Sequence, residues 1–282
     1  GPRVLVQGSS ILYGSSLESH EASGPRIREA LEARGLPDAC VQVHAEPGST
    51  FFTQRAELRS AEAAPVDLLI WELWQNSPHP FTRIGEVAYN FGQMAVGPDG
   101  VPDPFDLGPL ARPMLDHSRL YGWVALNRAP RKSGGEPTHV AWARFAPTFV
   151  AGARGEAERR GARLMVASFP SLGKPFAAQL ESHARTSSPV LDALRAEGAT
   201  VIEMDRALMG HDPVDIRADT CCHYNATGMV LVSDILADAA VSLLSPEALA
   251  PNSAPGRDLY PTTGMAPSRD AATATQEGPH PR

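Results

Sequence analysis

The segment RVLVQGSSILYG, residues 3–14, carries a short apolar run directly before a Gly-Ser-Ser turn. The run predicts a buried β-strand over residues 3–7, and the glycines at positions 8 and 14 permit a tight turn after it. In a parallel sheet flanked by helices, ligands bind at the carboxyl ends of the strands. We therefore expect Ser10 to face a crevice; an ordinary strand-to-helix turn is the alternative, because glycine and serine are common there.

The rest of the chain alternates strand-like runs with helical patterns. Further strands are predicted at residues 40–44, 67–73, 163–169 and 200–204, and helices at residues 24–34 (with Ser23 as N-cap), 139–160, 188–197 and 225–244. The run at 67–73 is almost unbroken apolar sequence, as in central strands covered on both faces. This alternation predicts an α/β fold, a three-layer, doubly wound α/β/α sandwich of the flavodoxin-like type around a five-stranded parallel sheet.

Two segments fall outside this alternation. Residues 77–137 are rich in Pro and Gly and have weak periodicity, which predicts an irregular insertion such as a lid or a substrate-binding segment. Residues 246–282 consist mainly of Pro, Ala, Ser, Thr and Gly, a composition that cannot offset the entropy of ordering. We expect one domain over residues 1–245, followed by a disordered tail.

The net charge of the chain argues against nucleic acid as a partner. The 282 residues include 25 Lys and Arg against 32 Asp and Glu, a formal net charge of -7, whereas proteins that track nucleic-acid phosphates normally present a clustered basic face. No run approaches the roughly 18 apolar residues of a membrane span, and no dinucleotide fingerprint G-x-G-x-x-G follows the first strand. The sequence therefore predicts neither a nucleic-acid partner nor a membrane span.

The three cysteines, Cys40, Cys221 and Cys222, are too few for a disulfide scaffold and lack metal-site spacing. Two alternatives stay open: a bridge from Cys40 to one of the adjacent pair, or three buried free thiols. The chain begins Gly1-Pro2 with no initiator Met. We therefore expect that a targeting signal has been removed and that the protein is secreted or periplasmic, with the cytoplasm as the alternative.

A second chemical signal is the segment DTCCHYNATG, residues 219–228, directly before the last predicted helix. A histidine is the usual base for a serine hydroxyl, and a nearby carboxylate fixes the imidazole tautomer. His223, with Asp219 four residues earlier, could take these roles toward Ser10. The same pattern also fits a plain helix start with Asn225 as N-cap.

Two further positions follow the second and third predicted strands. Gly48 could supply a backbone N–H and Asn76 a side-chain amide, which with the Ser10 amide would form an oxyanion hole. Taken singly, Gly48 is typical of a turn and Asn76 of a loop. Ser10, Gly48 and Asn76 follow the first three predicted strands in order, and His223 precedes the last helix. This order favours a shared site over four unrelated turns.

These positions together resemble the sequence blocks of the SGNH hydrolase superfamily, the GDSL-like esterases and O-acetyltransferases, over residues 3–245. The matching residues are Ser10, Gly48, Asn76, His223, Asn225 and Gly228. The resemblance implies an SGNH hydrolase fold and a catalytic domain over residues 1–245. It implies Ser10 as nucleophile, His223 as base, and an oxyanion hole of the Ser10 and Gly48 amides with Asn76. It also implies that no metal ion or organic cofactor is needed.

The sequence departs from the family pattern at four points. Ser9 stands in place of the family's Asp or Asn, Trp74 in place of a Gly, and Ser77 in place of an Asp. The carboxylate lies four residues before the histidine rather than three. Either the loop holds one extra residue, or the site works as a Ser-His dyad aided by a backbone carbonyl. We favour Asp219 as the triad acid through a bulged turn, well ahead of Asp215.

The function implied by the resemblance is that of a serine esterase acting on a short acyl group, acetyl above all, carried by a carbohydrate or another small ester. Trp74 and Ser9 are the candidate substrate contacts. A polysaccharide O-acetyltransferase would use the same residues, with a sugar hydroxyl in place of water. A non-catalytic carbohydrate-binding module on the same scaffold is the alternative from a different class.

Overall fold

The computed structural model of the chain describes residues 1–49, 51–60, 64–74, 81–84, 87–90, 95–96, 102–103, 138–173, 176–219 and 221–245. The strands in these ranges are β1 (Arg3–Gly8), β2 (Cys40–Ala45), β3 (Leu68–Trp74), β4 (Phe81–Ile84), β5 (Val87–Asn90), β6 (Ala95–Val96), β7 (Pro102–Asp103), β8 (Arg163–Phe169) and β9 (Thr200–Glu203). The helices there are α1 (Ser10–Tyr13), α2 (Ser23–Ala33), α3 (Phe51–Ser60), α4 (Thr138–Arg160), α5 (Phe176–Ala196), α6 (Met204–Ala207), α7 (Pro213–Ile216) and α8 (Ala226–Leu244).

Five strands form one parallel sheet in the order β2-β1-β3-β8-β9. β3 lies at its centre and is buried along all but its last residue, and β1 is buried over residues 4–8. Such burial on both faces explains the nearly continuous apolar sequence of these strands. The sheet and the helices on its two sides confirm the predicted three-layer α/β/α fold.

The chain crosses the sheet in two directions starting from β1. It first moves outward to β2, and then returns to β3, β8 and β9 on the other side of β1. The two directions diverge between β1 and β3. At such a switch point the connections after neighbouring strands lead to opposite sides and leave a crevice at the carboxyl edge of the sheet. The turn that follows β1 therefore lies beside this crevice.

Apolar clusters fill the space on each side of the sheet. Val4 and Ile70 belong to the cluster under α2 and α8, whereas the next residue on β3, Trp71, belongs to the cluster under α3, α4 and α5. Trp71 is fully buried, and its ring centroid lies 5.2 Å from that of Phe51 and 6.0 Å from that of Phe149. Trp71 is therefore a core residue of the central strand.

Helix α5 is longer than the sequence predicts. It begins at Phe176, whereas the prediction has it begin at residue 188, and Pro189 lies inside it. The hydroxyls of Thr186 and Ser187 donate to backbone carbonyls one turn back, at 2.8 Å in both cases. Proline is favoured in the first turn of a helix, where its missing N–H has no partner to lose, and is disfavoured in a helix interior. The predicted start was wrong for this reason.

Two smaller helix predictions also need correction. Helix α2 has Ala22 as its N-cap, and Ser23 is instead the first helical residue, with its hydroxyl donating to the Leu12 carbonyl. Helix α3 was not predicted. Its buried residues include the polar Gln54 and Arg55, so no apolar stripe of helical period is visible in its sequence.

The segment predicted as an irregular insertion, 77–137, contains two short antiparallel pairs, β4 with β5 and β6 with β7. The rest of that segment up to residue 137, and the predicted tail at 246–282, lie outside the described residues. The division into a domain and a tail stays a prediction.

One helix in the described part of the chain, α8, is long and apolar enough to cross a membrane, with a hydropathy of 1.7. Ser233, Asp234 and Asp238 interrupt α8, so it is not an unbroken run of about 18 apolar residues, and the absence of a membrane span stays a prediction. Half of its apolar window is buried inside the structure, and its residues belong to the cluster shared with α2. Core helices of globular proteins pass the same test, so α8 is weak evidence for a span.

Asp205, in α6, supports a test of the fold. It is 3% exposed, and within the described residues its Oδ1 has no hydrogen-bond partner. Burial, followed by the nearby Glu203 charge, raises the pKa of Asp205 from 3.8 to about 6. The unfolded chain therefore releases this proton at lower pH than the folded one, and stability falls as pH rises from about 4 to about 6.

We expect Asp205→Asn to change the pH dependence of the free energy of unfolding. The variant should match the wild type at pH 4 and gain about 2 kcal/mol on it at pH 7, because it removes the cost of a buried charge. Urea unfolding at the two pH values measures the difference, with the exposed Asp38→Asn as a control that shows no such gain. An equal effect of Asp205→Asn at both pH values would contradict this account.

Candidate active site

Ser10 lies on a sharp strand-to-helix turn. β1 ends at Gly8, and α1 begins at Ser10 and ends after one turn at Tyr13. Gly14 follows as the C-cap, and its φ of 78° is in the left-handed region that glycine adopts without strain. The first amides of a helix have no intrahelical acceptor, so the turn leaves the Ser10 N–H for another partner. The Ser10 side chain is half-buried and reaches the imidazole of His223.

His223 comes to Ser10 from the loop before α8, 213 positions along the chain, and its Nε2 lies 2.8 Å from the Ser10 Oγ. Backbone and side-chain contacts hold the loop. The Ala218 N–H donates to the His223 carbonyl at 2.8 Å, and the Asn225 side chain accepts from the Gly228 N–H at 2.9 Å. Asn225 is the N-cap of α8, as the helix-start pattern predicts.

Asp219 holds the other side of the imidazole. Its Oδ2 accepts a hydrogen bond from the His223 Nδ1. Its Oδ1 accepts from the backbone N–H groups of Cys221, Cys222 and His223, at 2.9, 3.1 and 3.3 Å. Burial opposes ionisation, but the His223 contact and these amides outweigh it and lower the pKa of Asp219 to about 2. The four-residue spacing is closed by a turn wrapped around the carboxylate.

Neither Asp215 nor a main-chain carbonyl is the hydrogen-bond partner of the His223 Nδ1. Asp215 lies in α7, where its backbone carbonyl accepts from the Asn225 side chain at 2.9 Å. The Nδ1 of His223 faces the Asp219 carboxylate rather than a main-chain carbonyl. Ser10, His223 and Asp219 therefore form one continuous chain of hydrogen bonds.

Both cysteine alternatives are wrong. Cys221 and Cys222 form a disulfide with each other, and Cys40 is an exposed free thiol. Cys40 begins β2, at the amino end of the parallel sheet, whereas the Cys221 carbonyl accepts from Leu172, just beyond the carboxyl end of β8. A bridge from Cys40 would have to span the length of the sheet, which exceeds the reach of a disulfide.

Gly48 lies three residues beyond the end of β2, next to the turn that carries Ser10. Its φ of 80° is positive, which accounts for a glycine at this position. The Ser49 hydroxyl donates to the Gly8 carbonyl at 2.9 Å and joins the two connections. Asn76, the third predicted oxyanion donor, lies outside the described residues, so its role stays an expectation from the resemblance.

The Gly48 loop is supported from the core by a chain of polar contacts that sequence reasoning missed. The Trp71 indole N–H donates to the Gln54 side-chain oxygen at 2.6 Å, and the Gln54 amide donates to the Ser49 hydroxyl at 3.3 Å. Gln54 is only 3% exposed. A polar residue on a weakly periodic helix is the signal that could have indicated such a support.

The two predicted substrate contacts have different surroundings. Ser9 is buried, and its hydroxyl and its N–H both donate to the carboxylate of Glu72. This corrects the expectation that Ser9 contacts substrate, because its hydrogen-bonding groups are already engaged inside the protein. Trp74, at the end of β3, is half-buried and packs against the cluster under α2 and α8.

The contacts of Ser10, His223 and Asp219 are suited to proton transfer and to nucleophilic attack by the serine. Among the residues that the structure describes, no group of three or more His, Cys, Asp and Glu side chains is placed to hold a metal ion. The Ser10 hydroxyl lies within hydrogen-bond distance of one nitrogen of the His223 imidazole, and the Asp219 carboxylate accepts from the other, the arrangement that activates a serine.

Gly228 and Gly155 offer a paired test of how the loop before α8 is packed. A Cβ on Gly228 would overlap the Ile216 carbonyl, whereas a Cβ on Gly155, inside α4, meets nothing within 4 Å. We expect Gly228→Ala to lower the free energy of unfolding by about 2 kcal/mol. Gly155→Ala should raise it by about 0.5–1 kcal/mol, because alanine loses less backbone entropy in a helix. Urea unfolding measures both, and a neutral Gly228→Ala would contradict the close approach.

The chain is similar to known proteins in its structure but not detectably in its sequence. No protein-family model matches the sequence, and no curated protein is significantly similar to it. Among solved structures, a lipase/acylhydrolase from Enterococcus faecalis superposes with a TM-score of 0.53 at 11% identity, over 87% of this chain and 98% of that one. An alpha/beta hydrolase enzyme from the metagenome of Lake Arreo, Spain, has a TM-score of 0.53 at 12% identity, over 87% and 97%.

An acetyl xylan esterase is a third similar structure, with a TM-score of 0.51 at 11% identity, over 84% of this chain and 99% of that one. All three likenesses extend over nearly the whole of the other protein. At such low identity they establish the fold and not the activity. The chain has the same three-layer α/β/α fold as these three enzymes.

Proposed function

We propose that the protein is a serine ester hydrolase in which Ser10 forms a covalent acyl intermediate. The observation that carries this proposal is the hydrogen-bond chain from Ser10 through His223 to Asp219. It lies at the switch point of the sheet, where ligands bind in this class of fold. The hydrolases and esterases of similar fold support the proposal as analogies.

In the first half-reaction the Ser10 Oγ attacks the ester carbonyl carbon, and its proton passes to the His223 Nε2. The tetrahedral intermediate then expels the alcohol, which takes that proton from Nε2, and the acyl group stays on Ser10. In the second half-reaction a water molecule gives a proton to Nε2 and attacks the acyl carbon. The carboxylic acid leaves and the proton returns to Ser10.

Asp219 holds the imidazole in the tautomer that accepts the Ser10 proton, and its charge stabilises the imidazolium that forms. Since the pKa of Asp219 is lowered to about 2, the carboxylate is ionised throughout the neutral range. Its contribution is lost only as pH falls through about 2.

The negative oxygen of the intermediate needs donors in front of the nucleophile. We assign the backbone amides of Ser10 and Gly48 to this role, with Asn76 as the third donor implied by the family resemblance. Ser10 begins a helix, so its amide lacks an intrahelical acceptor. Ser49 ties the Gly48 loop to the Gly8 carbonyl. Each such donor contributes about 3 kcal/mol to lowering the barrier in enzymes of this kind.

For the substrate we propose a short acyl ester of a carbohydrate, with acetyl as the acyl group and Trp74 as a contact for the sugar. The acetyl xylan esterase of similar fold supports this class. Hydrolysis of p-nitrophenyl acetate, butyrate and octanoate, and acetate release from acetylated xylan, test it. Preference for the octanoate ester would contradict the short acyl group. A sugar acceptor that becomes acetylated in place of acetate release would identify a transferase.

We expect Ser10→Ala to lower kcat for p-nitrophenyl acetate by about a thousandfold or more. The melting temperature should stay near that of the wild type, because the Ser10 side chain is only half-buried. A fluorophosphonate should label the wild type at Ser10 and leave the variant unlabelled. The control Ser16→Ala, an exposed serine after the same turn, should keep full activity. An unlabelled, inactive wild type would instead favour a non-catalytic binding module.

We expect Asp219→Asn to lower kcat by about a thousandfold, because an amide favours the wrong imidazole tautomer. Asp215→Asn is the matched control in the preceding helix α7 and should stay within about twofold of the wild type, since the contact of Asp215 with Asn225 uses its backbone carbonyl, which the substitution keeps. Equal losses in the two variants would overturn the assignment of the acid.

A further inference from the structure

Glu72 is a buried carboxylate on β3 that the proposed reaction does not use. It is 2% exposed and lies in the most buried strand of the sheet. Its Oε2 accepts from the Ser9 N–H at 2.9 Å and from the Leu12 N–H at 3.2 Å. Its Oε1 contacts the Ser9 hydroxyl. The carboxylate therefore binds the nucleophile turn on both sides of Ser10.

These contacts replace the usual N-cap of a helix. Ser9 is the N-cap of α1, but its side chain makes no capping hydrogen bond. An N-cap side chain would normally accept the amide of the third helical residue, which here is Leu12, and Glu72 accepts it instead. Glu72 thus engages the amides of Ser9 and Leu12 and leaves that of Ser10 between them for the oxyanion.

The close approach of Glu72 also explains the glycine before the turn. A Cβ on Gly8 would lie 2.6 Å from the Glu72 Oε2 and 2.9 Å from the Leu12 Cβ. The backbone φ of Gly8 is not positive. A glycine is therefore required here by the lack of space for a side chain and not by the backbone conformation. The turn and the carboxylate are packed directly against each other.

A carboxylate is a costly way to fill this space. Burial raises the pKa of Glu72, and the contacts with Ser9 and Leu12, together with the charge of His223, oppose that rise. An apolar side chain of the same volume at such a position is often neutral or stabilising. Stability alone therefore does not account for Glu72, whereas orientation of the turn does.

We propose that Glu72 is a positioning residue that holds Ser10 in line with His223 by fixing the backbone at Ser9 and Leu12. This inference rests on the proposed esterase function. Its effect falls on kcat and on the reactivity of Ser10, and not on KM, because Glu72 lies beneath the turn and is not exposed to substrate. A displacement of about 1 Å at a nucleophile can cost about a hundredfold in rate.

Three substitutions separate positioning from charge and from stability. Glu72→Gln keeps the shape, because its amide oxygen can accept both N–H groups while its NH₂ donates to the Ser9 hydroxyl. Glu72→Met keeps the volume and removes the acceptors. Glu72→Asp keeps the charge but is one methylene too short to reach both amides. Ile70→Ala, a fully buried change on the same strand, is the control for lost stability alone.

The rate of Ser10 phosphonylation by a fluorophosphonate, and kcat and KM for p-nitrophenyl acetate, are measured where each variant is folded by circular dichroism. We expect Glu72→Met and Glu72→Asp to lose about a hundredfold in phosphonylation and kcat with KM unchanged. Glu72→Gln should stay within about threefold of the wild type. Ile70→Ala should melt at a lower temperature and keep the wild-type rate.

Several outcomes would overturn the proposal. A folded Glu72→Met or Glu72→Asp with wild-type rates would show that the contacts are not needed. A Glu72→Gln as slow as the other two would show that retaining the acceptor oxygens and the side-chain length does not position Ser10. If Glu72→Met does not fold, the comparison of Gln with Asp decides alone. A wild type that does not react with the fluorophosphonate would contradict the esterase function itself. A reactive wild type with equally reactive Glu72 variants would contradict only the positioning role of Glu72.

Discussion

Parallel pairing of β1 with both β2 and β3 is the constraint on which the site depends. The register aligns Gly8 with Ala45 and Gln7 with Trp71, so the connections after the three strands leave the sheet at one edge. Hydrogen bonds then join those connections: Ser49 to Gly8, and the β3 carboxylate of Glu72 to Ser9. Groups far apart along the chain meet because neighbouring parallel strands end together.

The polar residues beneath this edge contrast with the apolar sheet around them. Buried polar groups cost free energy unless they are hydrogen-bonded. Here Gln54 is bonded to Trp71 and Ser49, and Glu72 to Ser9 and Leu12. Among these partners, Ser49 lies in the Gly48 loop, and Ser9 and Leu12 lie in the turn that carries Ser10. The polar contacts therefore convert a packed sheet edge into a site of defined geometry, at a place where apolar packing has no directional preference.

Two carboxylates approach the Ser10–His223 pair, and their environments move their pKa values in opposite directions. Asp219 is partly open to solvent and accepts three backbone amides and the imidazole, which lower its pKa to about 2. Glu72 is enclosed in the sheet, and burial raises its pKa. The exposed loop thus supplies a permanent charge to the imidazole, whereas the buried strand supplies a rigid acceptor to the turn. In the proposed reaction, the loop takes part in the chemical step and the strand positions the turn.

The sequence by itself determined the five strands, the order of the polar turns and the candidate residues Ser10 and His223, because apolar runs and glycine turns are local signals. It did not determine the start of α5 or the existence of α3, where Pro189 and the buried Gln54 hide the helical pattern. It also left the imidazole partner and the cysteine pairing open. Only the tertiary structure decided these, since the turn around Asp219, the Cys221–Cys222 bond and the contacts of Glu72 depend on how distant segments approach one another.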